Sequence, residues 1–318
     1  MRSIRPNEMK TRRRLGLLLI AAAQVAAQTP APQPTSTSDD LYKLGKQLFD
    51  DFAPPEVKAQ FEFPSKEQFD DFATRLQRAL EGDDLAALAA YEPEARAALT
   101  ALRTLPGYED YADWLEQRLD EISVAREITT PRPPTPVPPA PKITPALPYY
   151  DLWFARMSSR PMPPRAAALM PRLRAAFVAE GVPPELAWLA ESESSFNPAA
   201  RSPAGAKGLY QFMPDTAHAM GLSTFVPDER SDPEKSAHAA ARYLRGLHAK
   251  FGEWPLALAA YNAGEGRVSR LLATQRVKNY SAIAGALPAE TRMYVPKVCA
   301  TIAVRAGVAP DQIGRVSR

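Results

Sequence analysis

A proline-rich run divides the chain. Residues 131–148 read PRPPTPVPPAPKITPALP, and nine of these eighteen positions are proline. Proline fixes φ and lacks an N–H donor, so such a run forms neither an α-helix nor a central β-strand. In polyproline form it would extend over roughly 55 Å. We therefore interpret residues 129–148 as a stiff linker between two folded parts.

The first 27 residues have the layout of a secretory signal peptide. Basic residues precede the apolar run LGLLLIAAA, and the small residues of VAAQ suit cleavage after Ala27. The apolar run is short for a membrane span. We expect an exported periplasmic protein, with an inner-membrane anchor formed by an uncleaved signal as the alternative. Residues 28–40 are expected to form a polar tether.

Composition limits the partners and cofactors. The 318 residues carry a formal net charge of +3, but Met1–Ala27 contributes +5, which leaves −2 for the rest. Such a chain offers no basic surface for nucleic acid. The single cysteine, Cys299, excludes an internal disulfide, and His218, His238 and His248 lack the spacing of metal ligands. We expect no cofactor, no nucleic-acid partner, and solvated positions for the histidines.

Both folded parts are predicted to be helical. Between residues 41 and 128, apolar positions such as Phe69, Phe72, Leu76 and Leu80 recur at helical spacing and indicate a small bundle of unknown role. From Tyr149 onward, proline and glycine mark the ends of short helices. These helices are expected to start at Pro184, to run from Pro214 to Gly221, from Asp232-Pro233 to Gly252, and from Pro255 to Gly264. Alternation typical of strands is almost absent, so the predicted fold class is all-α.

Glu193 has an unusual place in the helix that follows Pro183-Pro184. At 100° per residue it shares the apolar stripe of Leu186 and Leu189, whereas Glu191 falls off that stripe and is expected to be solvated. Burial and the negative end of the helix dipole both disfavour a carboxylate anion, so both raise the pKa of Glu193. A carboxyl kept protonated near neutral pH can act as a general acid. The alternative is a structural Glu at a partly exposed helix end, tolerated there or paired with a nearby arginine.

Four sequence blocks follow one another in the second folded part. They read ESSFNP (193–198), SPAGAKGLYQFMP (202–214), AYNAGEGRV (260–268) and ETRMYVPKV (290–298). Together they resemble the transglycosylase SLT domain, the lysozyme-like catalytic domain of the lytic transglycosylases that cut bacterial peptidoglycan. The resemblance covers roughly residues 178–300, and the YVPKV ending is more similar to the membrane-bound lytic transglycosylase D branch. It implies a lysozyme-like catalytic domain over residues 149–318.

The resemblance also implies roles for individual residues. Glu193, which opens the first block, corresponds to the family's sole catalytic carboxylate. Tyr261 is expected close to it. The residues implied to line the glycan groove are Ser202, Gln211, Met213, Tyr261, Asn262 and Glu290. Glu265 stands where many members have proline, a departure that leaves the catalytic assignment unchanged.

The implied reaction is cleavage of the β-1,4 bond between N-acetylmuramic acid (MurNAc) and N-acetylglucosamine (GlcNAc). Glu193 would protonate the leaving oxygen and then deprotonate the muramoyl 6-hydroxyl, which closes onto C1 and gives a 1,6-anhydromuramoyl product. The substrate of such an enzyme is the peptidoglycan glycan strand.

Two alternatives stay open. A lysozyme-type hydrolase needs a second carboxylate to activate water, and Asp215, Asp228 and Glu290 are candidates. A non-catalytic peptidoglycan-binding scaffold would instead work through the bundle and the proline-rich spacer. The bundle at residues 41–128 could also contact a cell-wall protein partner.

Overall fold

The computed structural model describes residues 78–93, 95–96, 99, 103, 109–130, 147–202 and 204–315. Within these ranges the regular structure is helical, and the β-bridges are isolated pairs that join Lys207 to Arg201 and to Phe212. The predicted all-α class is confirmed for this part of the chain. The signal peptide, the tether, residues 41–77 of the bundle and residues 131–146 of the linker lie outside the described residues.

The α-helices are numbered here in chain order. They are α1 Leu85–Ala89, α2 Glu109–Thr129, α3 Tyr150–Ser159, α4 Ala166–Ala179, α5 Leu189–Ser194, α6 Pro214–Ala219, α7 Pro233–Phe251, α8 Trp254–Ala263, α9 Glu265–Gln275, α10 Tyr280–Ile283 and α11 Ala289–Ala306. Short 3₁₀ helices cover Pro184–Trp188, Glu229–Ser231, Ala284–Ala286 and Pro310–Gln312. Among the described helices, none combines the length and apolar character needed to cross a bilayer.

The proline and glycine signals locate most helix ends correctly. α7 begins after Asp232, whose Oδ1 accepts the backbone N–H groups of Glu234 and Lys235 at 3.0 and 2.9 Å. It ends at Gly252, which adopts φ 76° as a helix cap requires. The segment after Pro183 differs from the prediction, because a 3₁₀ turn precedes the short helix α5.

Helix α11 is the centre of the core. It packs against α2, α3, α5 and α8, and most residues between Ala289 and Ala303 are buried. Trp153 of α3 is fully buried, and Lys297 Nζ lies 5.6 Å from the centre of its indole ring. A helix covered by neighbours on several sides holds its side chains in fixed positions, which suits it to carry parts of a site.

Helix α2 belongs to the segment predicted as a separate bundle, but it packs against helices of both predicted folded parts. It contacts α1, and it also contacts α5 and α11. Its buried residues Leu115, Leu119 and Ile122 belong to the same hydrophobic cluster as α11. The division into a bundle over residues 41–128 and a catalytic domain over residues 149–318 stays a prediction. The contacts of α2 give the described parts of both segments one shared core.

Candidate active site

Glu193 lies half-buried in the last turn of α5, directly before a sharp change of chain direction. Ser195 and Phe196 both adopt the left-handed conformation, at φ 50° and 59°. Such a backbone costs about 1 kcal/mol or more for a residue with a side chain. The Phe196 N–H donates to Ala190 O at 3.2 Å, and its buried ring packs edge-on to Trp188 with centroids 5.6 Å apart. These contacts hold the turn and fix the end of the helix that carries Glu193.

Ser202 and Gln211, both expected to line the groove, hold the backbone of the following loop. Ser202 Oγ accepts the Ala206 N–H at 3.0 Å, and Gln211 Nε2 donates to Gly208 O at 2.9 Å. Gly208 has φ 84°, and a Cβ atom added there would lie only 1.8 Å from the Arg230 carbonyl oxygen. The loop therefore requires glycine at this position, because only a residue without a side chain lets the two backbones pack so closely.

This loop is tied to α5 and α8. Ser194 Oγ donates to Leu209 O at 2.9 Å, and Tyr261 Oη donates to Tyr210 O at 2.7 Å. The rings of Phe212 and Tyr261 also pack with centroids 6.3 Å apart. The loop, the end of α5 and the end of α8 consequently form one connected unit.

Tyr294 makes the direct contact with Glu193. Its hydroxyl donates a hydrogen bond to Glu193 Oε1. Tyr294 lies on α11 one turn after Glu290, and its side chain is buried. The sequence prediction missed this residue. The block ETRMYVPKV contains a signal for it, because positions i and i+4 share one helix face and Tyr294 lies four residues after Glu290, which the resemblance assigns to the groove.

The surroundings of Glu193 hold its carboxyl partly protonated at neutral pH. Burial raises the pKa of Glu193 from 4.5 to about 7, and the like charge of Glu290 acts in the same direction. The Tyr294 hydrogen bond and the positive charges of Arg118 and Lys297 lower this pKa and partly oppose the effect of burial. A group with this pKa can donate a proton and later accept one at the same pH.

The structure brings several other expected site residues together. Asn262 Nδ2 donates to Glu290 Oε1 at 3.2 Å, and Thr291 Oγ1 donates to Asn262 Oδ1 at 2.6 Å. Burial raises the pKa of Tyr261, and the charge of Glu193 acts in the same direction. Met213 precedes α6 and is 42% exposed.

Arg118 of α2 is a further charged residue near Glu193. Its Nη1 lies 2.6 Å from Glu290 Oε1 and 2.9 Å from Glu121 Oε2. The sequence prediction missed this residue, because Arg118 lies outside the four blocks and no local pattern links it to them. Arg118 and Glu290 come together only because α2 packs against α11.

The expectation that Glu191 is solvated is wrong. Glu191 is 1% exposed and forms a two-point ion pair with Arg305, at 2.8 and 2.9 Å. The helical wheel failed because α11 covers this side of α5, so the short helix is buried on more than its apolar stripe. Glu191 is thus buried within a structural ion pair. Glu193 has no arginine partner of this kind among the described contacts.

The three histidines have different surroundings. His218 is exposed as expected, but His238 contacts Glu180 at 3.0 Å and His248 stacks on Trp254 with centroids 3.9 Å apart. Within the described ranges, no group of three or more potential ligands could hold a metal ion. His248 and Trp254 line a cavity of about 540 Å³ to which none of the expected site residues contributes.

Known proteins match this region of the chain. Residues 174–284 match the family model of the transglycosylase SLT domain. Membrane-bound lytic murein transglycosylase D of Escherichia coli K12 is 41% identical over 123 residues, which are 37% of this chain and 27% of that protein. Soluble lytic murein transglycosylase of Salmonella typhimurium LT2 is 37% identical over 120 residues, which are 35% of this chain and 19% of that protein. The chain thus spans about a quarter or less of the length of these relatives.

A solved structure is also similar at a low level. The 70 kDa soluble lytic transglycosylase of Escherichia coli aligns with 95% of this chain and 67% of its own length, at 20% identity and a TM-score of 0.41. This score is too low to support the lysozyme-like topology, which rests on the sequence resemblance. Residues 174–284, which include the first three of the four ordered blocks, are thus similar to the transglycosylase SLT domain.

Proposed function

We propose that this protein is a peptidoglycan lytic transglycosylase. It would cleave the MurNAc-β-1,4-GlcNAc bond of glycan strands and form a 1,6-anhydromuramoyl product, with Glu193 as the single general acid and base. The observation that carries the proposal is the environment of Glu193. Within an SLT domain, a half-buried carboxyl with a pKa of about 7 accepts a hydrogen bond from Tyr294.

In the first step, Glu193 transfers its proton to the glycosidic oxygen. The bond from C1 to that oxygen breaks, and positive charge develops on C1 and the ring oxygen. Because Oε1 accepts the Tyr294 hydrogen bond, the acidic proton is expected on Oε2. Tyr294 therefore orients the carboxyl for proton transfer without taking the proton itself.

In the second step, the Glu193 carboxylate accepts the proton of the muramoyl 6-hydroxyl. The oxygen of that hydroxyl forms a bond to C1, which closes the anhydro ring and restores the protonated Glu193. No water is consumed. A pKa near neutrality suits both transfers, because neither protonation state is strongly disfavoured.

A lysozyme-type hydrolase is the second candidate and needs another carboxylate. Asp228 is bound to Lys207 and Arg230 at 3.1 and 2.8 Å, and these contacts lower its pKa, so it is a weak base. Asp215 is exposed on α6. Glu290 is the strongest candidate for a water-activating group, because its charge reaches Glu193. However, its Oε1 is already bound by Arg118 and Asn262.

A non-catalytic scaffold fits the site less well. Glycan binding does not require a carboxyl whose burial raises its pKa, and such burial reduces stability at neutral pH.

The proposal also locates the protein in the periplasm, exported through residues 1–27, with an uncleaved membrane anchor as the alternative. A protein partner for residues 41–128 stays part of the hypothesis.

The direct test is release of soluble fragments from purified glycan strands. The full chain should release them, and Glu193→Gln should lose at least about 10²-fold in rate, because the amide keeps the shape but cannot transfer the proton. Glu265→Gln is a matched control, since Glu265 is exposed and pairs with Lys250 on the surface. Retention of more than about a tenth of the rate by Glu193→Gln would contradict the proposal.

A further inference from the structure

Helix α2 lies outside the matched SLT residues 174–284, but one of its faces contacts the proposed active site. Asp113, Gln117 and Glu121 are four residues apart, so they lie on one side of the helix. Asp113 Oδ2 accepts a hydrogen bond from Asn197 Nδ2 at 3.1 Å, and Gln117 Nε2 donates to Ser195 Oγ at 2.5 Å. Both partners belong to the left-handed turn region directly after Glu193.

The same face of α2 is bound to α11 through a buried charge. Lys297 Nζ donates to Gln117 Oε1 at 3.0 Å and lies 3.3 Å from Glu121 Oε1. The side chains of Lys297 and Glu121 are both 1% exposed. Buried charged groups that lose their partner are costly, so this contact fixes the position of α2 against the site.

Arg118 extends from this fixed helix to Glu290 on α11. Its guanidinium bridges Glu121 and Glu290, and the side chains of Arg118 and Glu290 are each 20% exposed. Glu290 in turn accepts a hydrogen bond from Asn262. We propose that Arg118 is a positioning residue of the active site, which holds Glu290 in place and sets the electrostatic environment of Glu193 from outside the SLT domain. This inference rests on the proposed function and names α2 as part of the catalytic unit.

The charges around Glu193 determine the sign of the expected effect. α11 contributes the Tyr294 hydroxyl, Glu290 and Lys297, α8 contributes Tyr261, and α2 contributes Arg118. Loss of Arg118 removes a positive charge and leaves Glu290 without its ion pair. Both changes disfavour the Glu193 carboxylate, so Glu193 should hold its proton to higher pH.

The test compares full-length wild type, Arg118→Gln, Arg118→Lys and Arg126→Gln. Arg126 also lies on α2 in an ion pair, with Glu92, but that pair is not among the main charges that act on Glu193. The Glu193 carboxyl is titrated by NMR with ¹³C-labelled glutamate and assigned by the signal that Glu193→Gln loses. The pH profile of kcat/KM on glycan strands is measured in parallel.

Arg118→Gln should raise the Glu193 midpoint by about one pH unit, and the alkaline limit of kcat/KM should move with it. Arg118→Lys should recover at least half of this shift, because it keeps the charge, and Arg126→Gln should match wild type. If Arg118 had a purely structural role, Arg118→Gln would lower the maximal kcat/KM without moving the Glu193 midpoint. An unchanged midpoint in folded Arg118→Gln would overturn the inference.

Glu290→Gln provides a test of opposite sign that does not depend on the folding of the Arg118 variants. It removes the like charge and leaves Arg118 to act on Glu193, so the Glu193 midpoint should fall below that of wild type. An equal or higher midpoint would overturn the inference. A wild-type chain that cleaves no glycan would contradict the proposed function, whereas the NMR titration would still decide the role of Arg118.

Discussion

Tyr294 and Glu193 share a hydrogen bond that joins α11 to the last turn of α5, with the tyrosine hydroxyl as donor to Glu193 Oε1. Residues 174–284, which match the SLT domain, include Glu193 but not Tyr294. The site is therefore assembled from the matched segment and from the helix that follows it. The hydrogen bond favours the charged form of Glu193, so it limits the rise in pKa that burial causes.

Removing this hydrogen bond should change the pH dependence of the reaction. In Tyr294→Phe the pKa of Glu193 should rise by about one to two units, because a hydrogen bond to a charged group contributes about 1.5–3 kcal/mol. The alkaline limit of activity should move up with it, while the maximal rate falls because the carboxyl is less well oriented. Tyr150→Phe is the control, since the buried Tyr150 hydroxyl has no partner among the described residues. An alkaline limit that stays in place would show that this hydrogen bond does not tune Glu193.

The raised pKa of Glu193 also has a consequence for stability. Below about pH 4.5 the carboxyl is protonated in both the folded and the unfolded chain. As the pH rises to about 7, the unfolded chain loses this proton first, so wild type loses up to about 3 kcal/mol of stability. Glu193→Gln cannot lose a proton and should gain this amount relative to wild type at pH 8, with the gain absent at pH 4. Urea unfolding across this range measures it, and a pH-independent difference would contradict the raised pKa.

The ion pair between Glu191 and Arg305 should contribute to stability rather than to catalysis. Glu191→Ala leaves a largely buried guanidinium without its carboxylate and should destabilise the fold by about 3–5 kcal/mol. Glu265→Ala removes an exposed pair with Lys250 and should cost no more than about 1 kcal/mol. Denaturant unfolding of both variants decides the point. Similar losses in the two would mean that the Glu191 pair does not stabilise the core.

The contacts of α2 predict that residues 149–318 depend on the preceding helix. A fragment of these residues lacks Glu121 and Gln117, so it uncovers the buried Lys297 ammonium and the apolar surface around it. It should unfold at markedly lower urea concentration than residues 78–318. Equal stability of the two fragments, measured by circular dichroism, would support the boundary at residue 149 as a folding boundary.

The limits of the sequence predictions follow from the range of the contacts. The place of Glu193 on an apolar stripe can be read from the sequence because it is a local property of one helix, and the ends of α7 and α8 can be read from it because capping is local too. Glu191 was misplaced because a wheel for one helix does not include α11, which covers its other side. Arg118 has no local signal, since its pairing with Glu290 exists only after α2 packs against α11.

Product analysis tests the central proposal most directly. Wild-type protein is incubated with purified sacculi in water enriched in ¹⁸O, and the soluble products are analysed by mass spectrometry. If Glu193 works alone, the muramoyl 6-hydroxyl attacks C1, because an intramolecular group has a large effective concentration. The account predicts 1,6-anhydromuramoyl products, lighter by one water than hydrolysis products and free of solvent oxygen. Muramic acid with a reducing end and one ¹⁸O atom as the main product would contradict it and identify a lysozyme-type hydrolase.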